Sequence, residues 1–272
     1  VLTLQQAADA LGVHYMTAYR YVRLGLLDAY KAGGGWRVTQ VALDEFEASR
    51  SGAAPAKARP APWADRLEAR LVAGDAPGSW GVIEAAMSAG MAVGAVYTDV
   101  LSPALRSIGT RWSTGELDVA IEHRASGIAS RLIGRLGSRC MRRGRPRGTI
   151  LLGAPAGERH ALVLAILGDL LRLEGWEVSD LGADTPTASF VMAAGSIGDL
   201  SAIGVSVTSA DNLDSAAEAC AALREAGLSL PIVLGGMAVE DTAHARSLGA
   251  DAFAHDATEM VRVLDDLAGS AA

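Results

Sequence analysis

The sequence predicts a multidomain protein of the α and α/β classes, in which two helical units precede a doubly wound parallel sheet. Residues 51–62, SGAAPAKARPAP, are rich in Ala and Pro without apolar periodicity, which is typical of a linker. Apolar residues recur at helical spacing over 63–143, and short apolar runs then alternate with helical stretches over 144–272. The predicted domains are therefore 1–50, 63–143 and 144–272.

The composition, with 50% hydrophobic and 20% charged residues, excludes a wholly disordered or fibrous protein. There is no apolar run of about 18 residues and no basic-then-apolar leader, so we expect a cytoplasmic protein without a membrane partner. Cys140 and Cys220 lack metal-ligand or disulfide spacing and are expected to be buried or idle thiols.

Charge is divided unevenly along the chain. Residues 1–148 carry 19 Lys and Arg against 13 Asp and Glu, a net charge of +6, whereas residues 149–272 carry 5 against 18, a net charge of −13. Phosphate contacts are therefore expected only in the first half. The connector between the last two domains is basic, and it fits either a solvated segment or a phosphate contact; its arginines are Arg139, Arg142, Arg143, Arg145 and Arg147.

The N-terminal segment LTLQQAADALGVHYMTAYRYVRLGLL predicts two short helices joined at Leu11-Gly12-Val13, where Gly12 permits a tight turn. The sequence GGGWRV predicts a hairpin wing with Arg37 near its tip, and a helix over 40–49 follows. We expect DNA contacts from the second helix and the wing, through Tyr15, Thr17, Arg20, Tyr21, Arg23 and Arg37.

These segments resemble the excisionase-like branch of the MerR-type winged helix-turn-helix family, over nearly all of residues 1–50. The resemblance implies binding to double-stranded operator DNA; the alternative is a small protein-interaction domain. The unit carries five basic and five acidic residues, so one copy is expected to bind weakly. A homo-oligomer, dimer or tetramer, would gather more phosphate contacts.

The apolar spacing of the middle domain predicts four helices, near 63–73, 78–89, 93–112 and 117–138, and this number suits a four-helix bundle. Beyond it the strands are TILLGA, EVSDLG, LSAIGVSV, PIVLGG and DAFA, and the helices between them are 159–174, 187–197, 212–226 and 239–248. Five strands alternating with helices predict a flavodoxin-like doubly wound parallel sheet.

Polar and small residues follow several of these strands. Glu158 and His160 lie just beyond the carboxyl end of the first strand, which is where doubly wound folds bind ligands. A histidine there can serve as a metal ligand oriented by a carboxylate, although a histidine taken alone is more often a residue of a surface loop. The third and fourth strands end in Ser206-Val207-Thr208 and Gly235-Gly236, where small residues admit the tail of a ligand.

This set resembles the cobalamin-binding domain of methionine synthase, the mutases and B12-dependent regulators, with its pattern Asp/Glu-x-His-x-x-Gly, Ser-x-Leu/Thr and Gly-Gly. The resemblance implies that His160 is the lower axial cobalt ligand, displacing the cofactor's own base, and that Glu158 orients it. It further implies that Ser206, Val207, Thr208, Gly235 and Gly236 line the channel of the nucleotide tail. Val163 stands where the pattern has glycine, which puts the seating of the tail in doubt.

The bundle carries a second signature. Trp112, nine intervening residues, Glu122 and His123 match the W-x9-E-H pattern of CarH/LitR-type light-responsive regulators. This resemblance implies a cap over adenosylcobalamin, in which Trp112 packs near the adenosyl group, Glu122 hydrogen-bonds it and His123 ligates cobalt once light has cleaved the cobalt–carbon bond. In the alternative, Trp112 and His123 are packing residues.

The function predicted from these resemblances is that of a non-enzymatic transcription regulator, which senses adenosylcobalamin and light through a change of oligomeric state. The alternatives are a corrinoid carrier subunit of a methyltransferase or mutase system, and a sensor of cobalamin level without photoswitching. A nucleotide-binding regulator is disfavoured, because the turn GAPAGERHA lacks G-x-G-x-x-G and the chain has no phosphate-binding G-x-x-x-x-G-K-[S/T].

Overall fold

The computed structural model describes residues 1–23, 25–32, 34–50, 62–142 and 144–269, which form two compact units, Val1–Leu132 and Ile133–Ala272. The predicted linker, 51–62, lies outside the described residues except for Pro62. Within the described ranges, every helix is too short or too polar to span a membrane.

The first unit opens with a helix-turn-helix and a small antiparallel sheet of order β1-β3-β2. Thr3 begins the first helix with a capping box, in which its hydroxyl accepts from Gln6 N while the Gln6 side chain accepts from Thr3 N. Gly12 forms the tight turn at a φ of +64°, as predicted. The elements are β1 (Leu2–Thr3), α1 (Leu4–Ala10), α2 (Tyr15–Arg23), β2 (Tyr30–Ala32), β3 (Gly35–Val38) and α3 (Gln40–Arg50).

The prediction that Arg37 lies near the tip of the wing is wrong. Arg37 sits in β3, the central strand, and pairs with Tyr30 at the end of the hairpin away from the turn, and with Thr3 of β1 on the other side. The pairing of β1, a strand that the sequence did not predict, places Arg37 in the middle of the sheet. The turn itself falls at Gly34, where φ is +80°.

The bundle elements follow, in the first unit as far as Leu132, and pack around large buried side chains such as Leu67, Leu71, Ile83 and Tyr97. The last helix is tied to the first because the Arg124 guanidinium donates to Val72 O at 2.8 Å. The elements are α4 (Trp63–Ala73), α5 (Ala76–Ser88), α6 (Val93–Ala95), a π-helical segment (Val96–Leu101), α7 (Ser102–Ser113) and α8 (Val119–Gly137).

The π-helical segment is the main departure from the predicted helix over 93–112. Pro103 lies in the first turn of α7 and has no amide hydrogen for the carbonyl one turn earlier. A wider turn before it accommodates that loss. The widened turn carries the buried residues Val96, Tyr97, Val100 and Leu101, so it lies against the core of the bundle.

The second unit is a parallel sheet of order β5-β4-β6-β7-β8 over the described residues, with the chain crossing over between β5 and β6. This is the flavodoxin-like order that the alternating pattern predicts, and the predicted fold class is confirmed. The strands are β4 (Thr149–Gly153), β5 (Glu177–Asp180), β6 (Leu200–Ser206), β7 (Ile232–Gly235) and β8 (Ala252–Ala254), and the helices are α9 (Ala161–Leu173), α10 (Thr187–Ser196), α11 (Leu213–Glu225), α12 (Thr242–Ser247) and α13 (Ala257–Gly269).

The basic connector is engaged within this second unit. Arg142 donates to Leu173 O at 3.3 Å, and the Arg147 guanidinium lies 4.5 Å from the ring centroid of Trp176 while pairing with Asp265. These contacts give both side chains a structural role. The predicted burial of the thiols is also seen: Cys140 and Cys220 are 0% exposed, and burial raises the pKa of Cys220 to about 11, which keeps it protonated.

Candidate cofactor site

The loop between β4 and α9 holds a histidine against a buried carboxylate. Glu158 is 1% exposed, whereas the His160 side chain, which comes directly before α9, is 48% exposed. Glu158 Oε1 contacts His160 Nδ1 and also accepts from His160 N at 3.1 Å. The carboxylate therefore fixes both the orientation of the ring and the nitrogen that carries its proton.

The other oxygen of Glu158 is held by the loop that follows β6. Glu158 Oε2 accepts from Thr208 N at 2.7 Å, from Ser209 N at 2.9 Å and from Asn212 Nδ2 at 3.3 Å. Burial raises the pKa of Glu158, but the hydrogen bonds from Ser209 N, the His160 ring, Thr208 N and His160 N outweigh it and lower the pKa to about 2. The group is thus a carboxylate at every ordinary pH.

This arrangement has a direct consequence for metal chemistry. An ionised carboxylate only accepts hydrogen bonds, so His160 donates from Nδ1 and its Nε2 keeps the lone pair that a metal requires. The half-exposed ring is open to a ligand at the carboxyl edge of the sheet. The donor set therefore fits a cofactor whose metal takes one imidazole nitrogen.

The ends of β6 and β7 form the neighbouring part of this edge. Ser206 pairs in register with Gly235, and Val207 N donates to Gly235 O at 2.8 Å. A Cβ on Gly236, whose φ is +102°, would lie 2.2 Å from Val207 O, and a Cβ on Gly235 would lie 2.7 Å from Ala254 O. Only glycine therefore fits at these two positions, which the sequence predicted as part of the tail channel.

Val163 lies in the first turn of α9 and is 42% exposed. The structure thus places a β-branched side chain at the surface close in sequence to His160, where the cobalamin-binding pattern has glycine.

The first unit holds a second carboxylate–histidine pair, in α8. Glu122 Oε2 contacts His123 Nδ1 at 2.8 Å, while Glu122 Oε1 accepts from the Ser126 hydroxyl at 2.6 Å. The Glu122 side chain is 22% exposed and that of His123 is 75% exposed. The same logic as in the other pair leaves Nε2 of His123 as the nitrogen available to a metal.

Trp112 lies near the end of α7 and is 44% exposed, which is unusual for so large an apolar side chain. Its neighbour Arg111 ties α7 to α4 through Glu68 at 2.6 Å and also pairs with Glu116 at 2.8 Å. The backbone that carries Trp112 is thus fixed while its ring stays available to another molecule.

In α2, Arg20 and Arg23 are exposed and Thr17 is half-buried. Tyr15 is 37% exposed and stacks on Tyr19, with ring centroids 6.4 Å apart. The exposed arginines are available for phosphates or bases.

Tyr21 differs from the other side chains predicted to contact DNA. Its ring packs on Phe46 with centroids 4.9 Å apart, at the edge of the core of the helix-turn-helix domain.

The wing contacts the bundle helix α4. The Arg70 guanidinium lies 5.1 Å from the ring centroid of Trp36, donates to Ala29 O and pairs with Asp75 at 3.1 Å. The contact continues nearby, because a Cβ on Gly25 would lie 3.1 Å from the Ala85 Cβ. The helix-turn-helix domain and the bundle therefore share an interface within the first unit.

Three matches to known families decide what kind of chain this is. Residues 148–265 match a B12 binding domain, and residues 63–136 match a second family with the same description. The chain belongs to the B12-binding proteins. Residues 1–51 of this B12-binding chain match a helix-turn-helix domain.

Two curated proteins are similar to parts of this chain. The HTH-type transcriptional repressor CarA of Myxococcus xanthus is 34% identical over 181 residues, which cover 64% of the chain and 58% of CarA. The dimethylamine corrinoid protein of Methanosarcina barkeri is 32% identical over 122 residues, which cover 44% of the chain and 56% of that protein. The chain thus spans just over half the length of these curated relatives. Its domains and the CarA match confirm the predicted CarH/LitR-type resemblance.

The solved monomethylamine corrinoid protein of Methanosarcina barkeri shares the fold, with a TM-score of 0.66 and 21% identity. The similarity covers 74% of this chain and 96% of that chain.

Sequence reasoning missed three residues of the loop network around His160. Ser209 and Asn212 hold the Glu158 carboxylate from about 50 positions downstream, and only the β4–β6 pairing brings them close. Asp184 accepts from Gly157 N at 2.7 Å from the loop after β5. Its one local signal is the segment Gly-Ala-Asp-Thr-Pro directly after a strand, which is typical of a turn.

Proposed function

We propose that this B12-binding chain is a non-enzymatic transcription regulator that binds adenosylcobalamin in its second unit and, in response to light, changes its oligomeric state and its affinity for operator DNA. The observation that carries the proposal is the His160–Glu158 pair at the carboxyl edge of the sheet, on the same chain as a helix-turn-helix domain. Cobalamin, when bound, supplies a cobalt that accepts an axial nitrogen and, in the adenosyl form, a light-sensitive cobalt–carbon bond.

His160 is the lower axial ligand in this proposal, through Nε2. Glu158 keeps that nitrogen unprotonated by holding the ring proton on Nδ1, and the backbone of Thr208 and Ser209 holds Glu158 in turn. The channel for the nucleotide tail runs along Ser206, Val207, Thr208, Gly235 and Gly236. Gly235 and Gly236 present no side chain at this edge, and packing within the chain also requires both glycines, because a Cβ would clash with Ala254 O or Val207 O.

The bundle acts as the cap of the cofactor. The exposed ring of Trp112 is suited to pack on an adenosyl group, and Glu122 is suited to hydrogen-bond it. His123, held by Glu122 through Nδ1, is the second imidazole that can ligate cobalt when the upper position opens. The cofactor can shift the equilibrium between two oligomeric states only to the extent that it interacts more favourably with one of them.

Operator DNA is contacted by the recognition helix and the wing, through Tyr15, Thr17, Arg20, Arg23 and Arg37. Tyr21 instead packs on Phe46 and stabilises the position of the helix. The first half of the chain carries the positive charge that phosphate binding requires, and assembly into a dimer or tetramer adds the contacts of several copies.

A corrinoid carrier is the second candidate. The similarity to a dimethylamine corrinoid protein, which is 32% identical over 122 residues, favours this function. The helix-turn-helix domain favours a regulator instead, since a carrier has no use for a DNA contact.

One experiment separates these functions. The full chain is loaded with adenosylcobalamin in the dark, and its absorption spectrum, its size-exclusion mass and its binding to double-stranded DNA are measured before and after green light. A regulator retains the cofactor and changes both mass and DNA affinity on illumination. Retention without either change identifies a carrier or a level sensor, and no retention overturns cobalamin binding.

The ligand assignment has its own control within this experiment. In protein loaded with adenosylcobinamide, which lacks the cofactor's own base, His160→Ala should abolish the spectrum of nitrogen-ligated cobalt, whereas His244→Ala, which removes a histidine of α12, should leave it unchanged. A His160→Ala protein with the wild-type spectrum would exclude His160 as the ligand.

A further inference from the structure

The loop after β5 contains a residue in a rare backbone conformation. Asp184 has a φ of +54° and is the one residue other than glycine, among those that the structure describes, with a positive φ. Aspartate adopts this left-handed region more readily than most residues, but such conformations persist only where surrounding contacts impose them, and they cluster at functional sites.

The contacts of Asp184 all lead to the loop that carries the cobalt ligand. Its Oδ1 accepts from Gly157 N at 2.7 Å, and its own N donates to Glu158 O at 2.7 Å. The next residue continues the attachment, since Thr185 N donates to Ala154 O at 2.9 Å. The backbone on both sides of the Gly157–Glu158 peptide is therefore fastened to the loop after β5.

This attachment is independent of the one already described. Thr208 and Ser209 fix the carboxylate of Glu158, but a glutamate side chain has three rotatable bonds, so its backbone can shift while its carboxylate stays in place. The ring of His160 is directed by that carboxylate, whereas its Cα position depends on the backbone two residues earlier. Both attachments are needed to fix the position of Nε2.

We infer that Asp184 is a positioning residue for axial ligation: by clamping the Gly157–Glu158 backbone, it holds His160 at the distance from the sheet edge at which Nε2 binds cobalt. This inference rests on the proposed role of His160 as the lower ligand. Asp184 itself touches neither the cofactor nor cobalt in this role.

Three substitutions separate the hydrogen bond from the backbone conformation. Asp184→Gly removes the acceptor but tolerates a positive φ, Asp184→Ala removes the acceptor and also disfavours that φ, and Asp184→Asn retains both an acceptor oxygen and tolerance of the left-handed region. Asp180→Ala is the matched control, because Asp180, the last residue of β5, accepts through Oδ1 from Gly182 N at 2.8 Å, whereas Asp184 accepts from Gly157 N.

The full chain of each variant is saturated in the dark at one neutral pH with adenosylcobinamide, which lacks the base that could replace His160, and the share of bound cofactor with nitrogen-ligated cobalt is read from the absorption spectrum. Asp184→Gly and Asp184→Ala should lower the ratio of ligated to unligated cofactor by about tenfold, as expected for loss of a charged hydrogen bond. Asp184→Asn should stay within about twofold of wild type. Circular dichroism verifies folding, and Asp184→Gly decides the result if Asp184→Ala does not fold.

A wild-type spectrum for Asp184→Gly, or an equal loss in Asp180→Ala, would overturn the positioning role. The failure of the proposed function looks different, because wild-type protein would then itself lack nitrogen-ligated cobalt.

Discussion

Glu158 and His160 form a pair in which the buried partner fixes the exposed one. The carboxylate is 1% exposed and receives hydrogen bonds from two backbone amides of the loop after β6, while its other oxygen contacts His160 Nδ1. An isolated buried charge would be strongly destabilising. Here the hydrogen bonds that Glu158 accepts stabilise the ionised carboxylate by more than its burial destabilises it. The pair therefore links two strand ends as well as orienting a ligand.

The low pKa of Glu158 makes the stability of the second unit depend on pH. Its pKa is about 2 in the folded protein against an ordinary 4.5, so folding favours the ionised form and adds about 3 kcal/mol above pH 4.5. This contribution is lost as pH falls from 4.5 towards 2. Urea unfolding at pH 5.5 and pH 3 should show the loss in wild type and a much smaller loss in Glu158→Gln.

Glu177→Gln is the control for this prediction, because Glu177 is an exposed carboxylate on β5 of the same unit. It should keep the pH dependence of wild type. An unchanged pH dependence in Glu158→Gln would contradict a stabilising role of the ionised carboxylate.

The sequence predicted those parts of the molecule that depend on local patterns. The alternation of apolar runs with helical stretches predicted every strand of the second unit to within two residues. The signal is strongest for the central strands β4, β6 and β7, because parallel strands buried on both faces are continuous apolar runs. Gly12 was predictable from the need for a positive φ between two helices. The position of His160 beyond the carboxyl end of β4 was predictable because the residues after a strand lie at that edge of the sheet.

Contacts between distant segments were beyond the reach of such patterns. The donors to Glu158 lie about 50 residues away along the chain, and β1, a strand of two residues, is too short for any periodicity. The pairing of β1 moved Arg37 from the expected wing tip to the central strand. Likewise, nothing in the spacing of apolar residues distinguished the π-helical turn before α7 from ordinary helix.

Glu122 should control the response of His123 to illumination. Replacing Glu122 with Gln weakens the contact that holds His123 Nδ1, so the imidazole is less often in the orientation and tautomer that frees Nε2. In adenosylcobalamin-loaded protein after green light, His123→Ala should abolish the spectral change that marks a second nitrogen ligand besides His160, and Glu122→Gln should reduce that change about tenfold.

Ser126→Ala should have a weaker effect than Glu122→Gln, because it removes only the hydroxyl donor to Glu122 Oε1. Ser130→Ala, an exposed serine one turn further along α8, should have none. If His123→Ala gives the illuminated spectrum of wild type, His123 is not the ligand.

Arg20 and Tyr21 are neighbours in α2, but alanine substitutions at these two positions should change different properties. Arg20→Ala removes an exposed cation, so DNA affinity should fall about tenfold and the slope of its salt dependence by about one, with stability unchanged. Tyr21→Ala removes the ring that packs on Phe46 and should destabilise the domain by about 2 kcal/mol.

Tyr21→Phe provides the control, because it keeps the packing and removes only the hydroxyl. It should retain the stability of wild type. Fluorescence anisotropy with labelled duplex DNA at several salt concentrations, together with urea unfolding, measures both properties. A large loss of DNA affinity in Tyr21→Phe would instead identify the hydroxyl as a DNA contact.

The contact between Arg70 and Trp36 should couple the wing to the bundle. The guanidinium lies over the indole ring at 5.1 Å and also donates to Ala29 O, so two interactions tie the same side chain to the helix-turn-helix domain. A double-mutant cycle of Arg70→Ala and Trp36→Ala, measured by urea unfolding, should give a coupling energy of about 1 kcal/mol. Asp65→Ala with Trp36→Ala, a control on the exposed side of the same helix, should be additive. If the Arg70 and Trp36 substitutions are also additive, the contact between these two side chains does not stabilise the packing of the wing on the bundle.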